Sequence, residues 1–165
     1  MLFKRLARHL LTSRATVNRY FPPSCIAALK GAISASETTH RGEIRFAIEA
    51  ALPPLRVLRG VSARERALEV FSDLRVWDTD DNSGVLVYVL LADRAIEIVA
   101  DRGINLRTAN GTWLRIAQTM QEAFSHGRYE AGALAGIGAI SQELARHLPA
   151  SDRNPNELDD DITLL

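Results

Sequence analysis

The stretch GVLVYVLLADRAIEIVADRG, residues 84–103, decides the fold of this chain. Its first half contains the run Val85–Ala92, which has the length and the β-rich composition of a strand buried on both faces. A second apolar segment, Ala95–Ala100, follows after so short a link that the two strands are predicted to form an antiparallel hairpin. A turn centred on this link places Asp101 opposite Gly84, to within about two residues.

The segment before this hairpin supplies another strand and a helix. Glu43–Ala51 alternates apolar and polar residues with the period of a strand. Ser62 and Glu65 form the S-x-x-E capping box, and apolar residues at helical spacing follow it. The result is a right-handed βαβ unit with parallel strands, whose amino-terminal ends meet at one edge of the sheet. Apolar stripes that begin near Trp113 and Tyr129 predict further helices, so we expect an α/β fold with a small mixed sheet and flanking helices.

Length and composition limit the class of protein. A chain of 165 residues, 47% of them hydrophobic, is the size of one domain that folds without disulfides. Its 20 Lys and Arg residues balance 20 Asp and Glu residues, which argues against nucleic acid as a partner. The single cysteine, Cys25, excludes an internal disulfide and a CxxC site and suits a reducing compartment. The longest apolar runs are far shorter than the roughly 18 residues of a transmembrane helix, so we expect a cytoplasmic protein without a transmembrane segment.

The two ends of the chain carry opposite charges. Residues 1–36 contain six basic residues and no acidic one, whereas Ser151–Leu165 contains five acidic residues and one arginine. The first eleven residues place apolar side chains at helical spacing among basic ones, which predicts a short basic amphipathic helix. This helix either docks on the core or attaches residues 1–20 to an anionic membrane surface or a protein partner. The expected division is a basic amphipathic helical segment (residues 1–23), a central domain (24–149) and a flexible acidic tail (150–165).

Three polar segments converge at the amino-terminal end of the predicted sheet. Residues 37–40 precede the first strand, residues 78–82 precede the second, and residues 101–103 follow the third. Carboxylates gathered in this way raise one another's pKa unless a cation lies between them, and oxygen ligands suit Ca²⁺ or Mg²⁺. A histidine among them widens the choice to a transition metal. The candidate metal ligands are Asp78, Asp80, Asp81, Asn82, Asp101, Glu37 and His40.

Two other interpretations of this acidic group stay open. One is an Asx-type turn with Arg75, Arg94 and Arg102 as counter-ions, and the other is acid–base chemistry without a metal. The stretch from Asp78 begins like a calcium loop but has Val89 at its twelfth position, so it is not a complete EF-hand. Gly132, Gly136 and Gly138 lie inside a helical stripe and not in a strand–turn–helix fingerprint, which indicates close helix packing and no organic cofactor.

From Ser36 to about Leu148 the chain resembles a TPM domain. The resemblance lies in the segment around the first strand, the start of the second strand, the A-D-R hairpin and the D-R-G-I exit from the third strand. These motifs are Glu37–Ile44, Asn82–Val89, Leu91–Arg94 and Glu97–Ile104, with Arg66-Ala67 and Val70-Phe71 in the helix between the first two strands. The segment Arg75–Thr79 resembles a cytoplasmic, proteobacterial-type branch of the family.

This resemblance implies a three-layer α/β/α sandwich that often carries calcium or another divalent ion. Some members are credited with acid phosphatase activity and others act as accessory factors for membrane complexes, so the resemblance leaves open whether this chain is an enzyme. The first hypothesis is a metal-binding interaction module that meets its partner through the basic segment, and it expects the remaining domain to fold after deletion of Met1–Tyr20. The alternative is a divalent-metal-dependent phosphatase in which Asp101 helps to hold the ion and Arg102 steadies a phosphate oxygen.

Overall fold

The computed structural model describes residues 1–151 and 156–165, which form helices and one sheet. The helices are α1 (Leu2–Leu11), α2 (Arg14–Tyr20), α3 (Pro23–Ser36), α4 (Pro54–Leu58), α5 (Ala63–Asp73), α6 (Arg102–Asn105), α7 (Thr112–Ser125) and α8 (Tyr129–His147). The strands are β1 (Glu43–Glu49), β2 (Gly84–Leu90), β3 (Ala95–Ala100) and β4 (Thr163–Leu164). The short basic helix predicted at the start of the chain is therefore confirmed as α1.

The strands form one mixed sheet in the order β3-β2-β1-β4. β1 and β2 are parallel, with Glu43 paired to Gly84, and β2 and β3 are antiparallel, with Val85 paired to Ala100. Asp101 N donates to Gly84 O at 2.8 Å, so the predicted register of the hairpin is confirmed. The parallel βαβ unit is confirmed as well, with α5 in its connection.

Helix α5 begins at the predicted capping box. Ser62 Oγ accepts a hydrogen bond from Glu65 N at 3.1 Å, and Glu65 Oε2 accepts one from Ser62 N at 2.7 Å. These bonds satisfy backbone donors that the first turn of a helix otherwise leaves unpaired. The cap fixes the residue at which α5 begins in the connection between β1 and β2. Ala67 and Val70 of α5 pack on one face of the sheet.

Apolar side chains cover both faces of the sheet. On one face Ile44, Phe46 and Ile48 pack with residues of α3, α7 and α8. On the other face Leu86 and Tyr88 pack with residues of α5. Strand β2 is buried along its whole length, as its uninterrupted apolar run predicts. The predicted α/β sandwich with a small mixed sheet is thus confirmed.

Glycines allow α7 and α8 to approach each other closely. A Cβ added to Gly136 of α8 would lie 2.3 Å from Met120 Sδ, and one added to Gly132 would lie 2.7 Å from Ala123 Cβ. The close helix packing predicted from this glycine series is therefore confirmed at two positions. At Gly138 nothing lies within 4 Å of the added Cβ, so the third glycine takes no part in this contact.

The N-terminal helices pack on the domain. Val17 of α2 is buried, and so is Phe21, which packs edge-on against Tyr129 at the start of α8. Tyr20 stacks on the same ring with centroids 4.3 Å apart. Deletion of residues 1–20 would remove part of this core, so we expect the shortened chain to lose stability, in contrast to the prediction that the remaining domain folds on its own.

The end of the acidic tail contributes to the sheet. Residues Thr163 and Leu164 pair in parallel with β1, and Leu165 N donates to Ile48 O at 2.9 Å. The sequence predicts a flexible tail over residues 150–165, of which 152–155 lie outside the described part. The last residues instead cover the backbone groups that β1 would otherwise leave unpaired at the edge of the sheet, and Leu164 and Leu165 supply apolar side chains there.

Candidate functional site

The three polar segments predicted to converge meet at the amino-terminal end of the sheet. Arg41 Nη1 lies 3.1 Å from Asp81 Oδ2, which joins the segment before β1 to the loop before β2. Ile104 N donates to Asn82 O at 3.2 Å, which joins the same loop to α6. Gly103 packs so closely that an added Cβ would lie 2.4 Å from Asp81 O. The loops before β1 and β2 and the start of α6 therefore meet, as the strand topology predicts, and the first of these loops contributes Arg41, the residue after the predicted segment 37–40.

The acidic side chains at this end do not form one set of metal ligands. Asp81 forms an ion pair with Arg41, which is not one of the three arginines that the Asx-turn interpretation names as counter-ions. Asp101 Oδ1 accepts a hydrogen bond at 2.7 Å from the first N–H of α6 and so caps that helix. Within residues 1–151 and 156–165, no three His, Cys, Asp or Glu side chains are arranged to hold a metal ion.

The other candidate residues differ in their exposure. His40 is buried, and its Nδ1 donates to Gly42 O at 2.9 Å. Burial lowers the pKa of His40, which disfavours its charged form. Asp101 Oδ2 is buried and accepts no hydrogen bond from the described residues, an uncommon situation for a carboxylate oxygen. The exposed candidates are Asp78, Asp80, Asn82 and Arg102.

A second group of carboxylates lies next to these loops. Glu43 accepts hydrogen bonds from Glu157 N at 3.1 Å and from Leu158 N at 3.3 Å. Burial, the negative charges of Glu43 and Asp160, and a hydrogen bond with Asp160 raise the pKa of Glu37 to about 8. Burial also raises the pKa of Glu43 to about 7, although its backbone hydrogen bonds oppose that change. We call Glu37, Glu43 and Asp160 the carboxylate cluster.

Sequence patterns identify only Glu37 of this cluster as a candidate. The alternation of β1 assigns Glu43 to a polar face, yet Glu43 is buried. Asp160 is brought to the cluster by the tail, and the hydrogen bond from Glu157 to Glu43 joins residues 114 positions apart. Local periodicity does not predict contacts over such a distance along the chain. Sequence patterns therefore do not place Glu43 and Asp160 beside Glu37.

At the opposite end of the sheet, Asp93 in the β2–β3 turn holds α1 in place. Arg5 Nη2 donates to Asp93 Oδ2 at 2.7 Å, and His9 Nε2 lies 3.0 Å from Asp93 Oδ1. Leu52 N donates to His9 Nδ1 at 2.9 Å, so the ring hydrogen is on Nε2 and His9 donates it to Asp93. Burial opposes ionisation of Asp93, but the hydrogen bonds from Arg5 and His9 outweigh it and lower the pKa of Asp93. We call these three side chains the Asp93 anchor.

The Asp93 anchor attaches α1 through the edge of its polar face. Phe3, Leu10 and Leu11 of the same helix are 83%, 64% and 83% exposed. Lys4 and Arg8 are also exposed. They lie next to these apolar side chains, since residues three and four apart are neighbours on a helix surface. Helix α1 is thus docked on the domain and at the same time presents an apolar and basic surface to the outside. We call these five residues the outer face of α1.

Fold and sites together define a class of protein. It is a mixed α/β domain with charged groups at both ends of its sheet and an amphipathic helix fixed to one of those ends. In the two stretches that the structure describes, no helix has the length and apolar character needed to cross a bilayer. The family model for the TPM domain matches residues 18–143, and the chain belongs to the TPM domain family. No curated protein matches the chain.

Two solved structures share this fold. The NMR structure of the BA42 protein from the psychrophilic bacterium Bizionia argentinensis is 27% identical to the chain, with a TM-score of 0.76, and the match covers 86% of this chain and 93% of that one. The NMR structure of the N-terminal domain of a protein from P. gingivalis is 19% identical, with a TM-score of 0.61, and the match covers 76% and 77% of the two chains. The second comparison supports the fold alone.

Proposed function

We propose that this TPM-domain protein is an interaction module that attaches to an anionic membrane surface through the outer face of α1. The observation that carries the proposal is the orientation of the helix. Arg5 and His9 are held by Asp93, while Phe3 and Leu10, which a helix docked by its apolar face would bury, remain exposed. The attachment is peripheral, on the inner face of a membrane.

Physical chemistry favours a lipid surface as the partner of this face. Exposed apolar side chains gain free energy when they enter the boundary between head groups and acyl chains. Lys4 and Arg8 on the neighbouring part of the helix attract anionic lipids, by about 1 kcal/mol for each basic residue near the surface. The Asp93 anchor fixes the helix before contact, so little conformational entropy is lost on attachment.

Sedimentation with lipid vesicles tests this proposal. The full chain should bind vesicles that contain phosphatidylglycerol and should bind pure phosphatidylcholine vesicles more weakly. The double variant Phe3→Ser/Leu10→Ser should reduce binding to the anionic vesicles at least about tenfold, because each apolar side chain is worth about 1.5–3 kcal/mol when fully buried. The charge variant Lys4→Gln should reduce binding by a smaller factor, and should do so on anionic vesicles only.

A matched control is available outside α1. Leu106 and Leu114 are 79% and 62% exposed, and both lie outside the outer face of α1. Leu106→Ser/Leu114→Ser should therefore bind anionic vesicles like the unchanged protein. The proposal is wrong if the two double variants bind equally well, or if the unchanged chain binds neither kind of vesicle.

The metal-dependent phosphatase is the second candidate. The observation in its favour is Asp101 Oδ2, which is buried and accepts no hydrogen bond from the residues described, with Arg102 exposed next to it in the chain. The carboxylates there do not provide three ligands as they are arranged in the described residues, so we assign no catalytic step. A rise in melting temperature with Ca²⁺ or Mg²⁺ that Asp101→Asn abolishes would support an ion there. Phosphate-ester turnover that is lost in the same variant would support the enzyme, and turnover that survives would argue against it.

A further inference from the structure

A cavity of about 800 Å³ opens at the carboxyl end of β2. It lies between α1 and α2 on one side, the β2–β3 turn on another, and the α7–α8 turn on the third. Its volume falls in the range of small-molecule sites, about 300–1,000 Å³. Open α/β sheets bind ligands in crevices outside the carboxyl ends of their strands, which is where this cavity lies.

The lining of the cavity is positively charged. Arg8 and Arg94 contribute to it, and no carboxylate lines it in the described part of the chain. The guanidinium of Arg94 makes no hydrogen bond or ion pair with any residue that the structure describes. Arg8 Nη2 reaches Asp93 Oδ1 only at 3.4 Å, and that carboxylate is already bound by Arg5 and His9. The cavity therefore presents two cations that the protein itself does not fully neutralise, and these would attract an anion.

One part of the wall is aromatic. Tyr20 and Tyr129 stack at an interplanar angle of 14°, and Phe124 packs against Tyr129 with centroids 5.0 Å apart. Leu11 of α1 and the end of β2 extend this apolar part. Four polar side chains complete the lining, namely Thr12, Thr16, Gln121 and Ser125. A cavity with an aromatic part and a few cationic side chains at one border has the composition of a site for an amphiphilic anion. The planar guanidinium groups suit an oxyanion, which they bind through paired hydrogen bonds.

We propose that this cavity binds a small amphiphilic anion, whose phosphate or carboxylate group pairs with Arg94 and Arg8 and whose apolar part lies against the aromatic wall. The ligand is either a free amphiphile or the head group of a membrane lipid, since both offer the same oxyanion on an apolar chain. The cavity shares Arg8 and Leu11 with the outer face of α1, but Phe3, Leu10 and Lys4, on which membrane attachment is tested, do not line it.

Calorimetric titration with octyl phosphate, below the concentration at which it forms micelles, tests the proposal on the full chain. Octyl phosphate should bind, whereas octyltrimethylammonium, which has the same chain and the opposite charge, should not. Inorganic phosphate should bind more weakly than octyl phosphate, because it makes no contact with the aromatic wall. In an NMR titration with octyl phosphate, the largest amide shifts should fall at the β2–β3 turn and the α7–α8 turn.

A pair of arginine variants isolates the charge. Arg94 and Arg75 are both exposed and both have left-handed backbone angles, with φ of 54° and 51°, a region that asparagine also tolerates. Arg94→Asn should weaken the binding of octyl phosphate about tenfold or more, because a hydrogen bond to a charged group contributes about 1.5–3 kcal/mol. Arg75→Asn, far along the chain from any residue that lines the cavity, should leave the affinity unchanged.

Several outcomes would contradict the proposal that the cavity binds an amphiphilic anion. Equal affinity of the two variants for octyl phosphate would do so, and so would equal binding of the cationic amphiphile or of inorganic phosphate. If Arg94→Asn weakens both octyl phosphate and anionic vesicles, the proposal stands with a lipid head group as the ligand. If it weakens octyl phosphate alone, the proposal stands with a free amphiphile. Binding of octyl phosphate by Phe3→Ser/Leu10→Ser would show that the cavity functions even where membrane attachment is lost.

Discussion

The two ends of the sheet gather carboxylates in opposite electrostatic settings. At one end Asp93 meets Arg5 and His9, and the pKa of Asp93 is lowered because the hydrogen bonds outweigh its burial. At the other end Glu37 meets Glu43 and Asp160, and the pKa of Glu37 is raised to about 8 by burial and by those carboxylates. The first arrangement stabilises the fold through its charges, whereas the second is tolerated only while protons reduce its charge.

This difference gives the two ends opposite responses to pH. A lowered pKa contributes stability above the ordinary pKa of the group and loses it as the pH falls, so the Asp93 anchor weakens in acid. A raised pKa contributes stability below the ordinary pKa and loses it as the pH rises through the folded value. The carboxylate cluster therefore weakens as the pH approaches 8.

Removal of the central carboxylate of the Asp93 anchor should have the largest effect. The side chain of Asp93 is 12% exposed and that of His9 is fully buried, so Asp93→Ala leaves Arg5 and His9 without their shared partner. Loss of one member of a buried ion pair costs about 3 kcal/mol of unfolding free energy or more. Urea denaturation at neutral pH measures this loss.

An exposed aspartate provides the control for this variant. The side chain of Asp73 is 70% exposed and lies 3.8 Å from Arg66, so Asp73→Ala should cost no more than about 0.5 kcal/mol. If Asp93→Ala loses no more stability than Asp73→Ala, the anchor does not hold α1. The proposed orientation of its outer face would then lose its physical basis.

The pH dependence of stability should reveal the carboxylate cluster. The folded chain retains a proton on Glu37 over a pH range in which the unfolded chain has released it, so unfolding free energy should fall between about pH 5 and pH 8. Because Glu37 is partly exposed and water screens its charge, we expect its share of the fall to be about 1–2 kcal/mol. Urea denaturation at a series of pH values measures it.

Two glutamine variants separate the cluster from other glutamates. Glu37→Gln cannot ionise, so its unfolding free energy should fall less steeply over the same pH range. Glu122→Gln changes an exposed glutamate on α7 that takes no part in the cluster, and its pH profile should follow that of the unchanged protein. Parallel profiles for all three proteins would show that Glu37 does not titrate as the structure indicates.

The sequence predicts the framework of both ends but not the partners of their charges. The hairpin register, the βαβ unit and the capping box at Ser62 depend on spacing within a few residues, and the structure confirms them. The meeting of three loops at one edge of the sheet follows from that topology. The contact of Arg5 with Asp93 joins residues 88 positions apart, and that of Glu157 with Glu43 joins residues 114 apart. No local pattern encodes such pairs, and so the ligand set predicted around Asp101 omits Glu43.

The smallest expected effect comes from Asp160→Asn, which removes one negative charge from the carboxylate cluster. Asp160 raises the pKa of Glu37 through its charge and a hydrogen bond, so the variant should bring that pKa below about 8. Carboxyl ¹³C NMR titration measures it. Asp159, one residue earlier, does not contribute to the raised pKa of Glu37, so Asp159→Asn should leave that pKa unchanged. If both variants leave the pKa near 8, burial and the charge of Glu43 raise it without Asp160, and Asp160 does not belong to the carboxylate cluster.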